Sequence, residues 1–135
     1  MVDVDVRPNA GTVRVRRVCV AHDCGLVVNP DGLRNQIEGN VVQAISRTLK
    51  EAVRFDTTRV TSVDWNGYPI LRFSEIPDAI DIELIDRPSE PSMGAGEAAT
   101  SPIPAAIANA IFDATGVRLR DVPFTPERVR SALRG

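Results

Sequence analysis

Aromatic residues and long apolar runs are both scarce in this sequence. Aromatic side chains make up 4% of the 135 residues, although 43% of the chain is hydrophobic, so the core has to be built mainly from valine, isoleucine, leucine and alanine. No stretch approaches the roughly 20 consecutive apolar residues that cross a bilayer. We therefore expect a protein without a membrane span.

An excess of positive charge is also missing, because the formal net charge is −2 and the isoelectric point is about 5.4. Proteins that bind nucleic acid usually carry a basic excess that neutralises phosphates, so we expect no nucleic-acid partner. The length suits one domain, and a domain of this size can bury a substantial core. The sequence thus predicts a single domain spanning residues 1–135.

The two cysteines are too few to suggest a disulfide framework. Cys19, His22 and Cys24 lie close together in sequence, which raises the possibility of a metal site. Their spacing matches no zinc pattern, and a fourth ligand is missing. A half-buried strand end, with cysteine acting as a small apolar residue, explains these residues better. We therefore predict no metal ligands in this chain.

Alternating side chains predict a small sheet. Valine alternates with aspartate over Val2–Val6 and with arginine over Val13–Val20, and the turn residues Pro8–Gly11 lie between the two segments. This pattern is typical of a half-buried antiparallel pair with one apolar and one charged face. A further alternating segment, Ile80–Ile85, predicts another strand.

The strongest periodic pattern predicts a long helix over Gly32–Val53, capped by Asp31. One broad side is apolar, whereas the opposite side carries carboxamides where solvent-facing helices usually carry lysine and glutamate. Carboxamides both donate and accept hydrogen bonds, which suits a ring system with alternating N–H and C=O edges. An ordinary solvated face is the alternative. The apolar positions are Leu33, Ile37, Val41, Ala44, Ile45, Thr48 and Ala52, and the polar ones are Gln36, Asn40, Gln43 and Arg47.

A second helix is predicted over Pro102–Thr115, with Ser101 as its cap and Gly116 at its end. This segment is apolar nearly all round, which predicts a buried helix. A domain of this size rarely encloses a helix with its own atoms, so we expect part of it to face another domain. A short helix through Leu133 ends the chain. The fold class is therefore α+β, with a small mixed or antiparallel sheet packed against one long helix and a second buried helix.

The segment Met93–Pro102 places Glu97 directly after a glycine pair and before the second helix. Glycines can adopt positive φ and let a ligand approach the main chain. Backbone N–H groups near a helix start are available to an anion, so a base could stand here beside a bound anionic group. A plain surface turn is the alternative, since many turns contain a Gly-x-Gly-Glu string.

Several motifs in a fixed order resemble the molybdenum-binding large subunits of the xanthine oxidase and aldehyde oxidase family, of the isoquinoline oxidoreductase type. The similarity runs from about Val13 to Leu133, and the order and spacing of the motifs make it specific. The matching segments are Val20–Pro30 followed by Gln36–Gly39, Tyr68–Arg72 with Glu75–Pro77, Gly94–Glu97, and Pro102–Ile111.

The resemblance implies the C-terminal part of a molybdenum hydroxylase, an enzyme that oxidises aldehydes or N-heterocycles with oxygen taken from water. In the family, the glutamate of Gly-x-Gly-Glu lies beside the molybdenum and acts as the general base, a role that falls on Glu97 here. The glutamine of Gln-x-Glu-Gly contacts the pterin cofactor, which assigns Gln36. Gly94, Gly96 and Ala98 are implied as further cofactor-binding residues.

The resemblance also implies a cofactor and partners. The cofactor is molybdopterin, in bacterial relatives usually as the cytosine dinucleotide. The partners are the remainder of the molybdenum subunit, an iron–sulfur subunit and a small aldehyde or N-heterocycle substrate. Because the chain is far shorter than such a subunit, we expect the isolated chain to bind no cofactor and to be inactive. We expect the complex in the cytoplasm, with the periplasm as the alternative.

Two other interpretations stay open from the sequence. The chain could be a non-catalytic interaction or scaffold module that retains the fold, which would explain its short length equally well. It could also be an unrelated small α+β binding domain whose glycine turn is only structural. Molybdenum and pterin analysis of the intact protein separates the first of these from an enzyme.

Overall fold

The computed structural model describes all 135 residues. The chain forms a three-stranded sheet with helices against one face, so the predicted α+β class is confirmed. The elements are β1 (Val2–Arg7), β2 (Thr12–Asp23), α1 (Pro30–Leu49), β3 (Ala79–Ile85), α2 (Ile103–Thr115) and α3 (Pro126–Arg134), with short 3-10 helices at Phe73–Glu75 and Ala98–Thr100.

The sheet is mixed, with β2 between β1 and β3. β1 and β2 form the predicted antiparallel hairpin, in which Val6 lies opposite Val13. β3 runs parallel to β2, from Arg17 opposite Ala79 onwards. Parallel neighbours need a long crossover connection, and the segment that contains α1 provides it. The carboxyl ends of β2 and β3 therefore meet at one edge of the sheet.

The core lies between the inner face of the sheet and the helices. Alternation along β1 and β2 directs valines inward, while α1 and α2 present isoleucines to them. Since both helices contribute fully buried side chains, the hydrophobic effect fixes their positions against the sheet. The largest fully buried side chains are Val15, Val18, Ile37, Val41, Ile45, Thr48, Ile107, Ile111 and Val129.

The outer face of the sheet is charged and solvated. Asp78 pairs with Arg14 at 3.0 Å and with Arg16 at 2.8 Å, and Arg17 pairs with Asp81 at 2.5 Å. These partners are about half exposed, and such surface pairs contribute little to stability. The buried core thus lies on the helix side of the sheet.

The start of α1 differs from the prediction of a helix capped by Asp31. Asn29 is the N-cap, because its Oδ1 accepts from the Gly32 N–H at 3.0 Å. Pro30 takes the first helical position, where its missing N–H leaves no hydrogen bond unmade. Asp31 lies within the first turn, where a carboxylate interacts favourably with the helix dipole.

The end of α1 comes at Leu49, before the predicted Val53. The reason is tertiary, because the Thr48 carbonyl accepts from the Phe124 N–H at 2.7 Å instead of from a following turn of helix. Lys50 leaves the helical conformation, with φ at −133° and ψ at −45°. Periodicity alone could not reveal this contact with a residue far along the chain.

The prediction that α2 is buried on nearly all sides is wrong for this chain. Only Ile103, Ile107 and Ile111 are buried, and Phe112 is 41% exposed. The predicted cap at Ser101 is also wrong, because the N-cap position is Pro102 and no side chain caps it. The expectation that the outer side of α2 faces another domain stays a prediction.

The end of α2 agrees with the sequence. Gly116 adopts φ of +74° and donates its N–H to the Phe112 carbonyl, as a left-handed C-cap does. α3 begins as predicted, with Thr125 as N-cap and Pro126 in the first turn. None of the helices combines the length and the apolar composition that a bilayer crossing requires.

Candidate functional site

The segment Met93–Thr100, which we call the glycine loop, reaches the N-terminal half of α1. The carbonyl oxygen of Gly96 accepts from Gln36 Nε2 at 2.6 Å and from Asn40 Nδ2 at 2.9 Å. A carbonyl oxygen has two lone pairs, so both are used. The structure thereby brings the Gly-x-Gly-Glu motif to the carboxamide side of α1.

The far end of the glycine loop is fixed through Thr100. Its hydroxyl donates to Asn40 Oδ1 at 2.6 Å, and its N–H donates to the Glu97 carbonyl at 3.0 Å, which closes the 3-10 turn. Asn40 is 6% exposed, so its amide is a buried polar group with its hydrogen bonds satisfied. Glu97 therefore lies between two residues that are anchored to α1.

The near end of the loop is fixed at the carboxyl end of β2. The Met93 N–H donates to the Cys24 carbonyl at 2.8 Å. Gly25 adopts φ of +72°, and a Cβ there would lie 2.2 Å from the Pro91 carbonyl oxygen, so only glycine fits this contact. The glycine loop is thus attached to the edge of the sheet at one end and to α1 at the other.

The carboxylate of Asp23, at the end of β2, is held in its charged state. The N–H of Gly25 and, second, the Arg87 guanidinium lower the pKa of Asp23 below its ordinary value. The Arg87 N–H also donates to the Gly25 carbonyl at 3.1 Å. These contacts join the segment before the glycine loop to the end of β2, and they stay formed at neutral pH.

The glycine loop presents unused backbone donors. The N–H groups of residues 94–99 donate to no acceptor within the chain. A Cβ at Gly94 or Gly96 would meet no atom within 4 Å, and neither glycine has a positive φ. Positive φ, expected from the sequence, is therefore not why glycine stands here. The loop instead combines free donors with open space, which suits an anionic or heterocyclic ligand.

Glu97 has an exposed side chain, and it takes part in none of the ion pairs of the chain. It occupies the N-cap position of the 3-10 turn without capping it, and exposed Ala98 follows. The Glu97 carboxylate therefore has no ion-pair partner in the chain, whereas the residues on either side of it are hydrogen-bonded to α1. Such a group can accept a proton from a molecule bound in front of the loop.

The carboxamide side of α1 divides into two parts. Gln36 and Asn40 donate hydrogen bonds to the glycine loop, whereas Gln43 and Arg47 are exposed and form no hydrogen bond to it. The sequence pattern puts Asn40 on the carboxamide side of α1 and does not single out Thr100. The i, i+4 spacing of the two carboxamides was a signal for Asn40, but nothing in the sequence pattern pointed to Thr100.

The residues around the end of β2 do not form a metal centre. The Cys19 sulfur lies 3.7 Å from Asp81 Oδ2, while Cys24 is buried next to the loop anchor. Nowhere in the chain do three or more His, Cys, Asp or Glu side chains assemble in a way that could hold a metal ion.

Comparison with known proteins identifies the family. Residues 1–77 match the family model described as the molybdopterin cofactor-binding domain. The chain belongs to this family. As the motifs predicted, this places it with the molybdenum-binding subunits of the xanthine oxidase and aldehyde oxidase family. The matched region contains Gln36, whereas the glycine loop lies beyond it.

Individual relatives cover the remainder of the chain. The sequence is 56% identical over 133 residues to a nicotinate dehydrogenase polypeptide of Pseudomonas putida, and the match covers 98% of this chain and 11% of that protein. Aldehyde oxidoreductase of Desulfovibrio gigas superposes over 98% of this chain, with a TM-score of 0.86 and 32% identity. Quinoline 2-oxidoreductase of Pseudomonas putida 86 superposes over 97% of it, with a TM-score of 0.85 and 30% identity. The chain spans 15% and 18% of these two structures, respectively.

Proposed function

We propose that the intact protein is a molybdenum hydroxylase that oxidises aldehydes or N-heterocycles with oxygen from water. This domain supplies the general base, Glu97, and part of the molybdopterin site. The relatives support this substrate class, because their names refer to nicotinate, quinoline and aldehydes. The observation that carries the proposal is the Gly96 carbonyl, which Gln36 and Asn40 share and which joins the carboxamides of α1 to the residue directly before Glu97.

The residues of the site fit a pterin cofactor with an anionic tail. Free N–H groups on Gly94, Gly96 and Ala98 can donate to anionic or carbonyl oxygens, and the space before both glycines is open. Gln36 is exposed and can offer a donor and an acceptor to a pterin edge. When bound, the molybdenum cofactor supplies the redox centre that takes electrons from the substrate.

This chain contributes one step to the reaction, which is proton transfer at the Glu97 carboxylate. No cation within the chain competes for its oxygens, so they are free to accept a proton from the water-derived nucleophile. The anchored residues on both sides limit how far its backbone can move. A general base needs this combination of an available oxygen and a fixed position.

Further features of the intact enzyme follow from the same proposal. The pterin is the cytosine dinucleotide form, and an iron–sulfur subunit accepts the electrons. The remainder of the molybdenum subunit completes the pocket, since the chain spans only 11% of the nicotinate dehydrogenase polypeptide that it matches. The isolated chain is accordingly inactive. The complex acts in the cytoplasm, with the periplasm as the alternative.

The experiment replaces the carboxylate with a carboxamide of the same shape, Glu97→Gln, in the intact enzyme. General acid–base catalysis contributes on the order of 10²- to 10⁴-fold, so turnover should fall by that factor while molybdenum and pterin contents stay normal. Glu83→Gln is the matched control, because Glu83 is an exposed glutamate of β3 that lies opposite Ala21 and outside the glycine loop. It should leave turnover unchanged.

Two outcomes contradict the proposal. Full turnover in Glu97→Gln would show that Glu97 is not the general base. An intact protein that is folded but contains neither molybdenum nor pterin favours the scaffold module over the enzyme. Both measurements use the same preparation, so metal loss and loss of chemistry can be told apart.

A further inference from the structure

Asn40 stands one turn after Gln36 in α1 and is almost completely enclosed. A buried carboxamide costs free energy unless its polar atoms find partners. Its Nδ2 donates to the Gly96 carbonyl at 2.9 Å and to the Gln36 carbonyl at 2.6 Å, and its Oδ1 accepts from the Thr100 hydroxyl at 2.6 Å. Two of these three hydrogen bonds reach the glycine loop.

The two loop residues that Asn40 holds stand on either side of Glu97. Gly96 precedes it directly, and Thr100 closes the turn that follows by bonding to the Glu97 carbonyl. We propose that Asn40, acting with Thr100, is a positioning residue that fixes the direction in which the Glu97 carboxylate points. This inference rests on the proposed role of Glu97 as the base.

Burial separates the task of Asn40 from that of Gln36. Both amides bond to Gly96, but Gln36 is exposed whereas Asn40 is enclosed by the loop and the helix. Gln36 can therefore turn its amide toward a ligand without releasing the loop, because Asn40 keeps its own bond to the carbonyl. Asn40 thus holds the loop, whereas Gln36 contacts the cofactor.

The test uses Asn40→Ala and Thr100→Val in the intact enzyme, with Thr100→Ser as the conservative variant that keeps the hydroxyl. A displacement of about 1 Å at a catalytic group costs on the order of 100-fold in rate. We expect kcat to fall by about 10- to 100-fold in Asn40→Ala and Thr100→Val, with KM and cofactor content unchanged. Thr100→Ser should retain the wild-type kcat.

Ser46→Ala is the structural control. Ser46 is another buried polar residue of α1, and its hydroxyl accepts from the Leu71 N–H at 2.9 Å, away from the glycine loop. The variant should lower the melting temperature without changing kcat. Asn40→Ala should differ from it by lowering kcat, and by speeding the hydrogen exchange of the Thr100 amide, a readout that needs no turnover.

Combining variants separates positioning from a direct role. In the Glu97→Gln background, Asn40→Ala should cause no further loss, because it acts only through the carboxylate. A further loss there, or a wild-type kcat in Asn40→Ala, overturns the inference. So does a fall in molybdenum content that matches the fall in activity. If Glu97→Gln itself is fully active, the proposed function fails instead, so the two failures are distinguishable.

Discussion

Gln36 and Gly96 lie sixty positions apart in the chain, yet Gln36 Nε2 approaches the Gly96 carbonyl oxygen to 2.6 Å. This contact joins the first half of the chain, which matches the family model, to the loop that carries the candidate base. Because Gln36 is on a helix and Gly96 is on a loop, the contact ties the position of the loop to that of α1. The site is therefore built by the fold and not by any one motif.

We predict that Gln36→Leu lowers the cofactor content of the intact enzyme several-fold. Leucine has a similar size but cannot donate or accept a hydrogen bond, whereas Asn40 still holds the Gly96 carbonyl. Gln43→Leu is the matched control, because Gln43 is an exposed carboxamide of the same helix that does not reach the loop. Molybdenum and pterin analysis measures the effect. Normal cofactor content in Gln36→Leu would remove this residue from the cofactor site.

The N-cap of α1 gives a prediction about stability. Asn29→Ala should lower the free energy of unfolding by about 1 kcal/mol, because the Gly32 N–H loses its acceptor. Asn29→Asp should restore it. Asp31→Ala should cost less, since that residue acts only through the helix dipole. Denaturant unfolding of the three variants tests whether Asn29 is the cap, and a larger cost at Asp31 would contradict it.

Local patterns were sufficient for the elements but not for their long-range contacts. Alternation located β1, β2 and β3, and periodicity located α1, because side-chain spacing reports which face is apolar. A continuous apolar segment that ends at Gly116 located α2. The parallel pairing of Ala79 with Arg17 is set by a crossover that no local pattern contains. In the same way, α1 ends early because Phe124 bonds to Thr48 from far along the chain.

The site was predictable at the residues with a motif and not at those without one. Gln36, Gly94, Gly96, Glu97 and Ala98 were all named from the sequence, and the structure places them around one loop and one helix end. Their roles remain predictions. The burial of Asn40 could not be foreseen, because it depends on the loop folding over α1 and not on the helix itself.

The ion pair of Lys50 with Glu75 makes stability depend on pH. Burial raises the pKa of Glu75, but hydrogen bonds from Lys50 and from the Arg72 N–H outweigh burial and lower it below its ordinary 4.5. A carboxyl group with a lowered folded pKa stabilises the fold above its unfolded pKa, and the contribution is lost as pH falls through the folded pKa. The effect is therefore present at pH 7 and disappears in acid.

Glu75→Gln measures this contribution. Because the pair is partly exposed, we expect a loss of less than about 1 kcal/mol at pH 7. The difference from the wild type should shrink steadily as the pH falls below 4.5. Unfolding curves at several pH values test the sign, with Glu83→Gln as a control for removing a negative charge. A difference that grows in acid would contradict the assignment.

Gly94 and Gly96 allow the fold and the ligand to be tested separately. A methyl group at either position would meet no atom within 4 Å, and neither residue has a positive φ, so Gly94→Ala and Gly96→Ala should fold normally. The free energy of unfolding should stay the same or rise by about 0.4–1 kcal/mol, because alanine restricts the unfolded chain.

If the proposed cofactor occupies the space before the loop, the same variants should lose cofactor in the intact enzyme. Gln43→Leu is the control, since Gln43 is an exposed residue of α1 that forms no hydrogen bond to the loop. Cofactor loss in this control as well, or in neither glycine variant, would show that the space before the glycine loop is not where the cofactor binds.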